Sequence, residues 1–387
     1  MSTSAPSFGP KSSQTFNLTP FLGRIKLMII GIDASRAVKD QKTGTEWYSW
    51  YLIRELSKLD FRNNYLLYSP SAPKDDFLYD NIHFMWKIIP AQSMWSQKGL
   101  ALEVTKNPPD VFFAPSHIIP QLSSVNSVMT IHGLEYKHFP KAYSLKDRLY
   151  MDFAVKQSAK KAKKIIVPSI STKNDLIKFY KTEENKIAVI PEGVDREVFI
   201  PSSEKSPMAE PYILFIGRIE ERKNISMLIK AFELLCKENT PINLILIGKQ
   251  GYGYDKIKEQ IDSLSPKVKE RIHELGYLPD DEKIKYLHGA TVFAFPSLYE
   301  GFGLPILEAM ACGVPVISSN TSSLPEVTGD AALTLDPNNP LAWASALSRV
   351  IHKQDERQRM IDRGNKLVGH FSWRRTAELT LDVLNNA

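Results

Sequence analysis

PSLYEGFGLPILEAMACGVPVIS, from Pro296 to Ser318, is the stretch that decides how this chain folds. The apolar run Thr291–Phe295 before it reads as a buried strand. Gly301 and Gly303 let the backbone turn at the carboxyl end of that strand. Pro305 suits the first helical position, where its missing N–H would be unpaired in any case. Gly313 suits a left-handed helix end, and Val314–Ile317 reads as a second buried strand. The amides of Gly301 to Leu304 then point out of a helix N-terminus, where an anion is stabilised. Glu308 falls about one turn into the helix with its side chain directed back toward that end, eight positions after Glu300. A carboxylate beside an anion pocket repels phosphate but accepts two hydrogen bonds from a diol. The combination suits a sugar nucleotide.

The strand–turn–helix–strand unit is repeated in kind along the chain. Short β-branched runs alternate with amphipathic stretches, the pattern of parallel α/β sheets. In the first half, strands are expected at Lys26–Ile32, Tyr65–Tyr68, Ile82–Lys87, Val111–Ala114, Val128–Ile131, Ile165–Val167 and Ile187–Ile190. Helices are expected at Glu46–Leu59, Lys146–Ala162 and Thr172–Phe179, the last capped by Ser171. The polar stretch Asp195–Pro211, with Pro201 and Pro207, reads as an interdomain link. A second series follows, with strands at Tyr212–Ile216, Leu244–Ile247, Ile272–Leu275 and Thr291–Phe295. Its helices are expected at Ile225–Lys237, Leu341–His352, Arg357–Val368 and Arg374–Leu384. The expected division is a mobile tail (1–24), a first Rossmann-like lobe (25–200), a linker (201–211), a second lobe (212–370) and a C-terminal helix (371–387) crossing back to the first lobe. Ligands of such sheets bind at the carboxyl ends of strands, so the natural site is the crevice between the lobes.

Composition agrees with a two-domain enzyme. The chain has 387 residues, 43% hydrophobic and 24% charged, long for one core and ordinary in polarity. No apolar run approaches the ~20 residues needed to span a bilayer. The first 23 residues are rich in Ser, Thr and Pro and lack an apolar core, so they read as neither signal peptide nor anchor. Cys236 and Cys312 read as small buried side chains in a reducing compartment. The net charge of +6 is uneven: residues 1–203 hold 27 basic and 19 acidic side chains (+8), and the rest hold 22 and 24 (−2). The excess concentrates in QSAKKAKK, up to Lys164. It is either a solvated helix face or a surface that docks on anionic membrane. No nucleic-acid-binding motif accompanies it. The expected location is cytoplasmic, or peripheral at the inner face of the membrane.

In the second lobe, GRIEERKN (Gly217–Asn224) places Arg218 and Lys223 between a strand end and the next helix. Two fixed cations there stabilise the charge that builds on a departing diphosphate. Arg222 is a third candidate, and ordinary ion pairs with Glu220 and Glu221 are the alternative. GRIEERKN, GYLPDDE (Gly276–Glu282) and the Glu300–Glu308 run together resemble the retaining GT-B glycosyltransferases of family 4, in particular the mannosyltransferase branch of polysaccharide and O-antigen biosynthesis. The resemblance covers nearly all of the chain from Ile25 onward. It implies that Glu308 holds the ribose hydroxyls and Glu300 the donor sugar. Backbone amides of Phe302, Gly303 and Leu304 would cradle sugar and phosphate, Arg218 and Lys223 would bind the diphosphate, and the loop at Tyr277–Leu278 would form the base edge. Taken alone, Glu308 reads as a solvated helix acid.

In the first lobe, Gly44 and Thr45 stand before a helix and resemble the family's glycine loop that faces donor phosphate; a helix-capping turn is the alternative. His132 follows a strand, where family members carry a histidine that contacts the donor sugar; a structural histidine bonded to a backbone carbonyl is the alternative. Many relatives continue with Asp, and this chain has Gly133. His117, past another strand end, is a candidate for the acceptor side. The acidic pairs Asp75–Asp76 and Asp280–Asp281 are expected in loops, and no metal is expected. The function implied is transfer of a hexose, with GDP-mannose the favoured donor, to a hydroxyl of a glycan or lipid-linked acceptor, with retained anomeric configuration and no tightly bound cofactor. A sugar-nucleotide epimerase and a non-catalytic nucleotide-sugar-binding protein are the alternatives. IGKQGYGYD has its glycines in the order G-x-x-G-x-G, which is not the nicotinamide fingerprint.

Overall fold

A computed structural model describes residues 27–74, 77–90, 94–121, 124–202 and 206–387. The expected tail and Asp75–Asp76 lie outside the described residues. The first lobe holds seven strands: β1 (Ile29–Asp33), β2 (Asn64–Ser69), β3 (Phe84–Ile88), β4 (Val111–Ala114), β5 (Asn126–Thr130), β6 (Lys164–Val167) and β7 (Ile187–Val189). The second holds six: β8 (Tyr212–Ile216), β9 (Asn243–Ile247), β10 (Ile272–Gly276), β11 (Val292–Phe295), β12 (Val316–Ser319) and β13 (Leu333–Leu335). Every pairing is parallel, in the orders β3-β2-β1-β4-β5-β6-β7 and β10-β9-β8-β11-β12-β13.

The central strands are buried along their whole length, as strands covered by helices on both faces must be. In the first lobe, the helices Gly44–Leu59 and Trp373–Asn385 cover one face through Leu52, Leu56, Ala377 and Leu384. Gly99–Lys106, Leu145–Lys161 and Ile170–Tyr180 cover the other through Leu100, Val155 and Leu176. The last helix of the chain therefore belongs to the first lobe's core, with Trp373 stacked on Tyr51 at 5.0 Å. Strand order reverses beside β1 and beside β8. Ligands of open parallel sheets sit at such switch points, and here both open onto the same interlobe crevice.

Several local expectations are corrected. The helix expected from Thr172 begins at Ile170, and its cap is Ser169, whose hydroxyl accepts from the Thr172 amide at 3.1 Å, rather than Ser171. Gly44 and Thr45 are the first two residues of their helix, with Thr43 and Glu46 forming the capping box. The strand expected at Val314–Ile317 runs from Val316 to Ser319, because the Val314 amide still donates to Ala309 and closes the preceding helix. Asp280 and Asp281 do not lie in a loop. They open the helix Asp280–Gly289, where carboxylates meet the positive end of the helix dipole. The helix Tyr254–Asp262 was not expected at all.

Candidate active site

A cavity of about 650 Å³ lies between the carboxyl ends of the two sheets. All eleven residues singled out from the sequence as catalytic or donor-binding line it. Its floor is the turn after β11. Gly303, at φ 127°, caps the helix Leu304–Ala311 without any side-chain cap, so the first amides of that helix are free to face a ligand. The turn is fastened from below: the Ser323 hydroxyl contacts the carbonyls of Glu300 (3.0 Å) and Phe302 (2.7 Å), and the Glu300 amide donates to Ser322 Oγ at 2.8 Å.

Glu300 is almost wholly enclosed. Lys223 Nζ stands 2.5 Å from its Oε1 and an Arg222 guanidinium nitrogen 3.2 Å from its Oε2. Burial pushes the carboxyl's pKa up, but these two cations outweigh burial and hold it below the ordinary carboxylate value. Lys223 is itself held below the ordinary ammonium value, by burial and by Arg222 beside it. Arg222 also pairs with Glu220 at 2.7 Å and donates to the Tyr299 carbonyl at 2.7 Å. These four charges cancel one another. The alternative reading of GRIEERKN as ion pairs thus holds for Arg222 and Glu220, and Lys223 is engaged by Glu300. Arg218, by contrast, is exposed and forms no ion pair among the described residues. Lys42 and Lys249 line the same cavity and also form no ion pair among the described residues.

Glu308 sits at the far end of the cavity, 3.5 Å from Lys283, which in turn pairs with Asp280 at 2.7 Å. Burial raises the Glu308 pKa above its ordinary value by more than Lys283 lowers it. Glu308 is thus a largely enclosed acid, its side chain 13% exposed, and not a solvated one. Tyr277 and Leu278 line the same end, and Lys249 reaches over the Tyr277 ring at 4.8 Å. On the opposite wall stand Gly44 and Thr45 at their helix N-terminus, and His132. Both ring nitrogens of His132 are engaged: Nδ1 lies 3.0 Å from Glu192 and Nε2 2.9 Å from the Pro115 carbonyl. Burial lowers its pKa, but the Glu192 hydrogen bond and charge outweigh that and raise it above the ordinary imidazole value, and an acceptor beside each ring nitrogen favours the doubly donating form. The structural alternative weighed for His132 is therefore present, alongside its place in the cavity wall. His117 lies behind it, 5.7 Å between ring centroids, and burial beside His132 pushes its pKa down to about 3.

The lobes touch directly. The Ser169 hydroxyl donates to the Gly301 carbonyl at 2.7 Å, and the Glu326 carboxylate accepts from the amides of Ile170 and Ser171 at 2.7 and 2.8 Å. Tyr299 Oη accepts from the Leu134 amide at 3.0 Å and donates to Asp175 at 2.8 Å. Sequence reasoning missed Lys283, Glu192 and Glu326. Lys283 carried a usable signal, since it lies three residues after Asp280 and shares its helix face. Glu192 and Glu326 carried none, because their partners come from other elements.

Residues 195–367 match the family described as glycosyl transferases group 1, and residues 42–198 match glycosyltransferase family 4. An O-antigen chain mannosyltransferase B of Escherichia coli is 34% identical over 70% of this chain and 73% of its own length. The O-antigen chain mannosyltransferase RfbU of Salmonella typhimurium is 30% identical over 66% of this chain and 68% of its own. Among solved structures, a sucrose-phosphate synthase of Thermosynechococcus elongatus superposes with a TM-score of 0.73 over 92% of this chain and 98% of its own, at 19% identity, a likeness of fold. With two facing parallel α/β lobes and a match along both, this chain belongs to the group 1, family 4 glycosyltransferases of GT-B fold, enzymes that transfer sugar from nucleotide-sugar donors.

Proposed function

We propose that this enzyme transfers mannose from GDP-mannose to a hydroxyl of a glycan or lipid-linked acceptor, with retained configuration and without a bound metal. One observation carries the reading: an unpaired arginine, a bare helix N-terminus and two largely enclosed carboxylates converge on one cavity. Arg218 and the amides of Phe302, Gly303 and Leu304 meet the diphosphate. Lys223 shares its charge between Glu300 and the phosphate, and Glu308 accepts from the ribose diol. Leu278 borders the base, where the Asp280 carboxylate, 37% exposed, suits the two adjacent donors of a guanine edge. Mannose is favoured because the relatives named above are mannosyltransferases.

Glu300 orients the sugar through its hydroxyls. Held by two cations, it is a poor nucleophile, which favours a front-face route. The bond from the anomeric carbon to phosphate oxygen breaks, the acceptor oxygen bonds to the same face, and its proton passes to the departing phosphate. The fixed cations stabilise the leaving group as its charge grows, and His132 fixes the wall against which the sugar rests.

A thermal-shift screen across GDP-, UDP- and ADP-sugars tests the donor, with the largest shift expected from GDP-mannose. Labelled donor incubated with membrane extract tests transfer, and the anomeric configuration of the product tests retention. Glu300→Ala is expected to abolish turnover while nucleotide binding stays within a few fold. An inverted product, free altered sugar without acceptor, or wild-type turnover in Glu300→Ala overturns the reading.

A further inference from the structure

We propose that a second cavity beside the donor cleft receives the terminal residue of the acceptor as a neutral sugar, and that Glu135 is the carboxylate that orients it. The cavity holds about 380 Å³, within the range of small-ligand sites, roughly 300–1,000 Å³. It shares Arg218 and Arg222 with the donor cleft, so a molecule in it lies against the end where the diphosphate is read. One segment of the first lobe serves both spaces: Glu135 lines the donor cleft, and Phe139 and Tyr143 line the second cavity.

Glu135 is half-buried, and its side chain forms no hydrogen bond or ion pair among the described residues. The charged groups around it are committed elsewhere: Lys137 to Asp152, His138 to Asp175, and Arg222 to Glu220 and Glu300. Gly133 leaves room for it. A Cβ at that position would stand 3.0 Å from Glu135 Oε1 and 3.3 Å from the Gly301 Cα, so the carboxylate lies where the lobes meet. Burial pushes the Tyr143 hydroxyl up to about 12, and the Glu135 charge adds to it, so the carboxylate also acts on the second cavity.

A polar group left unpaired in a cleft is satisfied by what fills the cleft. A carboxylate accepts from two neighbouring hydroxyls, and aromatic walls suit the C–H face of a sugar ring. Phe139 of the first lobe and Tyr252 of the second both line the cavity, and neither stacks on another ring among the described residues. Charge sets the class of sugar. Of the lining groups, Arg218 and Arg222 balance Glu220 and Glu221. Once Arg218 meets the diphosphate, the charges left over at this cavity are acidic, so a uronate or a phosphorylated sugar is repelled and a neutral one is not. The reacting hydroxyl keeps its proton for the departing phosphate, while Glu135 accepts from a hydroxyl beside it. This subsite rests on the sugar-transfer reading given above and names the acceptor chemistry that reading leaves open.

Transfer to membrane extract tests it, with the sugar nucleotide of largest thermal shift as donor. Glu135→Gln keeps the shape of the side chain and removes its charge. It is expected to raise the apparent KM for the extract about 10- to 100-fold, while the donor KM, the thermal shift with donor and the melting temperature stay near wild type. Tyr143→Leu removes the flat wall and is expected to raise the same KM about fivefold. At least one of the methyl glycosides of mannose, galactose and glucose is expected to compete with the extract, and methyl glucuronide is not. An unchanged KM for the extract in both variants overturns the inference, as does competition by the glucuronide at least as strong as by the neutral glycosides. A lowered kcat with unchanged acceptor KM in Glu135→Gln also overturns it and assigns that carboxylate to proton transfer. Wild-type protein that moves no label from any donor removes the reaction and the subsite together; full transfer by the variants removes the subsite alone.

Discussion

Gly301 packs directly against the backbone of the other lobe, and Gly301→Ala turns that closeness into a measurement. A Cβ at this position stands 1.5 Å from the His132 carbonyl oxygen and 3.2 Å from the Gly133 Cα. Both obstacles are backbone, so no side chain can swing away. Restoring the 3.0 Å floor requires at least 3.0 − 1.5 = 1.5 Å of separation along that line. The Ser169 and Thr172 hydroxyls now 2.7 and 3.2 Å from the Gly301 carbonyl lose their geometry at such a distance. Two hydrogen bonds at about 1 kcal/mol each put the cost near 2 kcal/mol. The larger effect falls on chemistry, since His132 and the donor-binding turn must face each other across the cleft. A misplacement above 1 Å is expected to lower kcat about 100-fold. Nucleotide affinity, which the proposed reading assigns to Arg218, Glu308 and the helix amides within the second lobe, should fall much less. Steady-state turnover, nucleotide titration and small-angle scattering read the three effects, with the variant more expanded than wild type. A Gly301→Ala enzyme with wild-type kcat and an unchanged scattering curve would refute the reasoning.

Glu308→Gln should separate binding from stability. The folded carboxyl has a pKa above its ordinary value, so its ionised form costs stability at neutral pH; the variant is expected to melt at a higher temperature while nucleotide affinity falls about 10- to 100-fold. A lower melting temperature, or unchanged affinity, contradicts that assignment. His132 has the opposite sign. Its folded pKa lies above the unfolded value of about 6.5, so the stability it contributes is fully present below that pH and is lost as pH rises through the raised value. Glu192→Gln is expected to flatten the fall in melting temperature across that window, and a variant keeping the wild-type slope shows that another group is responsible.

The turn from Pro296 to Ser318 could be read from sequence because each of its constraints is local. A glycine that must adopt φ 127° or 76° and a proline in a first helical turn announce themselves within a few residues. The alternation of strands was equally visible, since buried parallel strands are continuous apolar runs. What remained hidden was pairing across elements. Nothing near Lys223 says that Glu300, 77 positions away, will neutralise it, and nothing near Glu192 points to His132. Helix starts slipped by a few residues where two serines competed for one cap, as at Ser169 and Ser171. The acids of Asp280–Asp281 looked like loop residues because a first helical turn and a polar loop share a composition.

The helix Trp373–Asn385 carries one more implication. To reach the first lobe, the chain crosses between the halves a second time, so two peptide spans join them instead of one. They touch where Gly193 meets the backbone of Ser372 and Trp373, so tightly that a Cβ there would lie 2.2 Å from the Trp373 nitrogen. Two covalent straps meeting at one point behave as an axle. The halves can swing about it, but they cannot slide or twist freely past each other, and every opening and shutting of the crevice must follow nearly the same arc.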